Sequence, residues 1–180
     1  DMAWQEWLPF DIDKLEMGDW TPEGIVYLVE EVMPTDGQRL YVWSGHGIQM
    51  QFRIPQFSEV GKFKDWRFAY RDLTLRIDQH LRTYGLTFER VDPTAWDSTR
   101  VFRLPGTINQ KYNNNGTPKD PKRCYLIADV GVGVSSELQK FLDAYQAPQE
   151  FADIEESTAV TKFITIFDAS RVRDYGGYWK

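Results

Sequence analysis

The 180-residue chain is short of the residues that staple or metallate a small protein. Its single cysteine, Cys124, excludes an intrachain disulfide and a zinc site of the multi-cysteine kind. Its two histidines, His46 and His80, stand far apart, which excludes a histidine-rich metal centre. No apolar run approaches the roughly 20 residues that span a bilayer, so no membrane partner is expected. The opening ten residues lack the basic start and long apolar stretch of a secretory signal. A cytoplasmic location is the expectation that follows. No phosphate-binding loop of the Gly-x-x-x-x-Gly-Lys type occurs. Asp1 precedes Met2, and an apolar run arrives at once, so a domain excised from a longer protein is expected.

What is present is ordinary globular composition, 42% hydrophobic and 27% charged. The length suits one domain with a small appendage. The net charge of −6 is unevenly spread. Residues 51–125 carry 14 basic and 8 acidic side chains, and the remainder carries 7 and 19. A basic middle can meet phosphates in an acidic protein, although a solvated helix face gives the same pattern.

Alternation and breaker residues predict the elements. Trp7–Asp13 reads as a strand ending in acids. Thr21 before Pro22 and Glu23 starts a helix that should stop near Pro34. Leu40–Ser44 and Ile48–Ile54 read as a hairpin around Gly45-His46-Gly47. Between Lys62 and Tyr84, Trp66, Ala69, Tyr70, Leu73, Ile77 and Leu81 recur at helical spacing, with Gly85 as the cap. Leu86–Val91 and Arg123–Ala128 are further strands, Tyr112–Lys122 an exposed loop and Ser135–Tyr145 a helix. The fold expected is α/β of the α+β kind, a mixed, largely antiparallel sheet with packed helices. Residues 1–146 form the core. An acidic linker and a C-terminal segment, 147–180, follow and lead towards a further domain.

Three segments carry chemistry. In a strand, residues two apart share a face, so Asp11 and Asp13 project together. Paired carboxylates repel unless a cation or proton intervenes, and hard divalent cations take such oxygen ligands. A solvated turn at a strand end is the plainer account. In Ser44-Gly45-His46-Gly47-Ile48-Gln49, two glycines allow close backbone approach to a ligand, and Ser44, His46 and Gln49 offer side-chain donors. A glycine-containing hairpin turn has the same sequence. Between Val91-Asp92 and Lys111, an acid at a strand end is followed by Arg100, Arg103 and Lys111, cations that suit a polyphosphate or a basic surface loop.

Together, in this order, the segments resemble the catalytic motifs of archaeo-eukaryotic-type primases. The likeness is to the primase–polymerase domains of phage and plasmid replication proteins, over roughly residues 7–128. Phe10-Asp11-Ile12-Asp13 resembles the family's acid-x-acid motif. Ser44–Gln49 resembles its Ser-Gly-x-Gly-x-His segment, with Gln49 at the histidine position and His46 three residues earlier. Val91-Asp92 resembles the third motif. Arg103-Leu104-Pro105-Gly106-Thr107-Ile108-Asn109-Gln110-Lys111 is similar to an Arg-Leu-Pro-Gly-Thr-x-Asn-x-Lys signature. Family members carry more chain before the first acid, so a truncated or compact form is expected.

The resemblance implies template-directed synthesis and extension of DNA or RNA primers. Asp11, Asp13 and Asp92 would bind two Mg²⁺ or Mn²⁺ ions and carry catalysis. Ser44, His46, Gln49, Arg100, Arg103 and Lys111 would hold the triphosphate of a dNTP or NTP. The partners implied are a single-stranded DNA template and a replicative helicase domain or protein. Lys62, Lys64, Arg67 and Arg71 on the long helix could line the template path, while Trp66 and Tyr70 fit the core better than base stacking. A metal-dependent nuclease or phosphohydrolase is the first alternative, and a non-catalytic nucleic-acid-binding relative the second. A rolling-circle initiator lacks support, because its paired metal-binding histidines are absent.

Overall fold

The computed structural model describes residues 5–57, 60–95, 102–113 and 115–144, with backbone alone at 5, 56–57 and 60–65. The chain divides into a unit Asp1–Tyr145 and a second unit, Gln146–Lys180. The latter, with the linker and C-terminal segment expected there, lies outside the described residues.

The first unit runs β1 (Gln5–Asp13), α1 (Pro22–Glu30), β2 (Arg39–Trp43), β3 (Ile48–Phe57), α2 (Val60–Thr83), β4 (Arg90–Val91), β5 (Ile108–Asn109), β6 (Lys122–Arg123), β7 (Tyr125–Val130) and α3 (Ser136–Ala144). One sheet has the order β4-β1-β3-β2-β7, and β5 and β6 form a separate two-stranded ribbon. Every described pairing is antiparallel, so the expected mixed sheet is corrected to an antiparallel one. The reason is topological. The α1 crossover joins β1 to β2, which run the same way, but β3 lies between them. The α2 crossover joins β3 to β4, and β1 lies between those. The succession β1-α1-β2-β3-α2-β4 is thus the split βαβ, or ferredoxin-like, arrangement, with β7 added beside β2.

Local chemistry explains the elements. At α1, Thr21 Oγ1 accepts from the Gly24 amide at 3.1 Å, and Pro22 opens the helix. Such a cap contributes about 1 kcal/mol. The α2 stripe ends where Gly85 takes φ +76° and the Leu86 amide donates to Leu81 O. For α3, Ser135 Oγ accepts from the Leu138 amide at 3.1 Å.

Period-two alternation sorts the sheet into two faces. Leu8, Phe10 and Ile12 of β1, Ile48, Met50, Phe52 and Ile54 of β3, and Tyr41 of β2 are buried. They pack with Ile25, Leu28 and Val29 of α1, with Trp66, Tyr70, Leu73 and Ile77 of α2, and with Leu138 and Leu142 of α3. Trp66 and Tyr70 are thus core residues, and Tyr70 stacks on Phe10 at 4.8 Å between ring centroids. All three helices serve this one face. The other face carries the alternate residues, Asp11 and Asp13 among them.

Three elements differ from expectation. The strand expected over Leu86–Val91 shrinks to β4 plus a lone Glu16–Thr87 bridge. Its partner strand turns off at Lys14, whose φ is 49°. The strand expected over Arg123–Ala128 is split at buried Cys124, β6 pairing with β5 and β7 with β2. The hairpin strand expected to end at Ile54 runs on through Pro55 to Phe57. A register shift between Gln5 and Trp7 opposite lets the chain pass proline, which cannot donate to the ladder.

Candidate active site

Backbone pairing alone brings the three acids together. Ile12 pairs with Val91, so the next residue along, Asp92, comes opposite Asp11, and its amide donates to Asp11 O at 2.8 Å. On the other side Asp11 pairs with Gln49 of β3. Directly opposed residues share a face. Asp11, Asp13, Asp92 and Gln49 therefore lie at one end of the helix-free face.

Asp92 is 3% exposed and held in a turn, its Oδ1 accepting from the amide and hydroxyl of Thr94 at 2.9 and 2.7 Å. From the helical side, Tyr70 Oη donates to Pro9 O at 2.7 Å, with Asp92 O at 3.4 Å. One buried hydroxyl of α2 thus holds β1 close to the residue after β4. The helical stripe favours Tyr70 as a core residue over a base-stacking one, but a stripe does not reveal where a hydroxyl points.

The turn between β2 and β3 closes the site's end. The Ser44 amide and Oγ both donate to Gly47 O, at 2.9 and 3.1 Å. The Leu15 amide donates to His46 O at 2.9 Å, tying the turn to the chain just past Asp13. A Cβ on Gly47 would lie 1.8 Å from Ile12 O, so only glycine allows this approach. A Cβ on Gly45 would lie 2.4 Å from Lys122 Cβ. The turn is therefore clasped between β1 and the β5–β6 ribbon.

The ribbon is anchored by its own polar groups. Asn109, 1% exposed, donates from Nδ2 to Ser44 O at 2.7 Å. The Arg103 amide donates to Gln49 Oε1 at 2.9 Å. Lys111, Lys119, Lys122 and Arg103 all act on His46. Burial first, and then these cations, hold the His46 imidazole below its ordinary pKa and favour its neutral form. Among the described residues, His46 Nε2 and Asn109 Oδ1 are buried with no hydrogen-bond partner.

Of the expected phosphate ligands, Lys111 is half-buried and Arg103 exposed. Ser44 Oγ donates inwards and Gln49 Oε1 is taken by the backbone, which leaves Gln49 Nε2 as that residue's donor. Arg100 lies outside the described residues, as do the side chains of Lys62 and Lys64. Arg67 and Arg71 are exposed on α2, and the sheet stands between that helix and the acids' face. Asn109 enters the sequence reading only as the Asn of the Arg103–Lys111 signature, with no role attached, and Lys119 and Lys122 carry no signal of their own. Two-residue strands are too short to show alternation, so nothing there signalled the ribbon.

The acids offer oxygen-only donors, the set a hard divalent cation prefers. Among the described residues, however, no three His, Cys, Asp or Glu side chains are placed as a ready-made metal group. The fit lies in donor chemistry and shared face, and the carboxylates would have to turn together around an ion. Among the described residues, no helix is long and apolar enough to cross a membrane. No known family model, curated protein or solved structure matches the chain.

Proposed function

We propose that this chain is a primase–polymerase of the archaeo-eukaryotic type, transferring nucleotides onto a primer strand under the direction of a single-stranded template. One observation carries the reading. The antiparallel register sets Asp11, Asp13 and Asp92 on one face of one sheet end, and Gln49, paired with Asp11, holds the start of a basic ribbon. Asp11, Asp13 and Asp92 would hold Mg²⁺ or Mn²⁺. When bound, such ions supply charge stabilisation at the attacking 3′ oxygen and the leaving pyrophosphate. The chain's own cations do the remaining electrostatic work. Lys111 and Arg103 neutralise the triphosphate, and Gln49 Nε2 can donate to one of its oxygens. The neutral state of His46 leaves its ring able to accept a proton as a polyanion approaches.

The plainer rival is a binding module without catalysis. In the split βαβ domains that bind single-stranded RNA, aromatic side chains on the open sheet face stack with bases. Here the corresponding face of β1 and β3 carries Asp11, Asp13, Gln49 and Gln51 at the site's end, and its one aromatic on these strands among the described side chains, Trp7, lies at the far end of β1 beside the Arg53 guanidinium. Carboxylates there repel a nucleic-acid backbone unless cations intervene, which favours a metal-dependent reaction. A nuclease would have little use for a basic group beside the acids that suits a triphosphate.

The deciding experiment is a gel assay with Mg²⁺ or Mn²⁺, labelled dNTPs or NTPs, and single-stranded template with and without primer. Metal-dependent extension that disappears in Asp11→Ala/Asp13→Ala supports the proposal. Cleavage of the template supports the nuclease. Calorimetry showing neither nucleotide nor metal binding would leave the non-catalytic module.

A further inference from the structure

We propose that the β5–β6 ribbon and the arms leading into it, residues 103–113 and 115–123, form the surface that carries a single nucleic-acid strand towards the carboxylates. The inference rests on the nucleotidyl-transfer reading above. In a chain of net charge −6, this segment holds Arg103, Lys111, Lys119, Lys122 and Arg123 against Asp120 alone. Lys122 pairs with Asp120 at 2.7 Å. Among the described residues, Arg103, Lys111, Lys119 and Arg123 have no carboxylate partner. The same stretch exposes Leu104, Ile108 and Tyr112 by 71%, 65% and 62%.

Register explains how these groups combine. Asn109 pairs with Lys122, and both face the glycine turn, where Asn109 is buried and the Lys122 stem meets Gly45. Ile108 and Arg123 are paired on the opposite, outer side. An apolar side chain directly across from an unpaired cation suits a chain that offers a base face beside a phosphate. A single strand has both within reach, whereas a duplex hides its base faces.

Location supports the same occupant. Arg103 is tied to Gln49, which pairs with Asp11, so the ribbon and the acids meet on one side of the sheet. The expected template path along Arg67 and Arg71 of α2 would place the strand on the far side, with the sheet between it and the acids.

The test uses the full 180-residue chain in metal-free buffer, with fluorescence anisotropy of a labelled oligo-dT at several salt concentrations. With no nucleotide present to occupy Arg103 and Lys111, four phosphate contacts at Arg103, Lys111, Lys119 and Arg123 give a log–log salt slope of about −3 for single strands. Lys119→Ala/Arg123→Ala should halve that slope. Tyr112→Ala and Ile108→Ser should weaken binding about tenfold at every salt concentration with the slope unchanged. Arg67→Ala/Arg71→Ala should bind like wild type. Circular dichroism melts confirm that each exposed-site variant folds. The proposal is overturned if the ribbon variants bind normally, if the α2 variant loses binding, or if a duplex of equal length competes as well as the single strand. The two readings fail separately. Ribbon-dependent binding without nucleotide incorporation would remove the polymerase alone. Incorporation with normal binding by the ribbon variants would remove the ribbon alone.

Discussion

Gly47→Ala is the sharpest test of how the site is assembled. The added Cβ would stand 1.8 Å from Ile12 O, 3.0 Å from Ile12 C and 3.5 Å from Asp13 Cα, where ordinary contacts begin near 3.4 Å. Backbone atoms cannot swing aside as a flexible side chain can, so turn and strand must part by about 1.6 Å. That separation strains the hydrogen bond from the Leu15 amide to His46 O and shifts the end of β1 that bears Asp11 and Asp13. Overpacking of this kind costs about 1–3 kcal/mol, and a lost hydrogen bond about 1 kcal/mol more. For a domain of this size the melting temperature should fall by roughly 10 °C. Gly85→Ala separates sterics from backbone conformation. Its Cβ would meet nothing within 4 Å, but its φ is +76°, so it should cost only about 1 kcal/mol. Thermal melts followed by circular dichroism rank the two. Primer extension, measured well below either midpoint, should be lost in Gly47→Ala and kept in Gly85→Ala. If Gly47→Ala melts as high as Gly85→Ala or higher, the close approach of the glycine turn to β1 is wrong, and the site's geometry with it.

Other outcomes follow from single contacts. Tyr70→Phe keeps the ring stack on Phe10 but leaves Pro9 O without its donor, and should destabilise the chain by about 1–3 kcal/mol in denaturant melts. Asp36 reaches about a hundred residues along the chain to cap α3, accepting from Ser135 Oγ and from the amides of Ser136 and Glu137 at 2.5, 2.7 and 3.1 Å; Asp36→Ala should cost about 1–2 kcal/mol by the same assay. Burial works against the charged form of Asp36, but the hydrogen bonds from Ser135, Glu137 and Ser136 together outweigh it and lower its pKa, so its stabilisation is present above the unfolded value near 3.8 and is lost as pH falls through the folded one. For His46 the depressed pKa makes the unfolded chain the better proton binder below about pH 6.5, so stability is full above that value and declines as pH falls. An NMR titration should place the His46 midpoint below 6.5 and move it upward when inorganic triphosphate shields the neighbouring lysines; an unchanged midpoint would detach His46 from the basic cluster.

Much of the fold was legible in the chain because the core is long-range in space but local in pattern. Every second residue of Leu8–Ile12 and Ile48–Ile54, and every third or fourth of Trp66–Leu81, is buried as its spacing demands. Asp11 and Asp13 could be placed on one face by the same argument, since a strand's alternation is decided within the strand. Strand order could not. The sequence succession suggests crossovers between parallel neighbours, and nothing local says that β3 inserts between β1 and β2, or β1 between β3 and β4. The ribbon was illegible for a different reason. Its strands are two residues long, and they are held by Asn109, Gln49 and the two glycines of another turn rather than by a pattern of their own.

That division bears on why the acids stand where they do. A split βαβ sheet with all its helices on one side leaves the other side to be covered by loops, ligand or water. Covering β1 and β3 with apolar packing would strand Asp11 and Asp13 as buried charges, at several kcal/mol each. The chain instead covers the sheet beside them sparingly, through a polar ribbon bonded at Gln49 and Ser44, and concentrates cations on that ribbon and its arms. Acids on the sheet and cations on the ribbon are close in the fold yet do not neutralise one another as ion pairs among the described residues. Arg103, Lys111, Lys119 and Arg123 have no carboxylate partner among the described residues, so an anion from outside the chain can take that place. A polyphosphate at the ribbon would give those cations their opposite charge without drawing on Asp11, Asp13 or Asp92, the carboxylates that the proposed reaction needs for divalent cations.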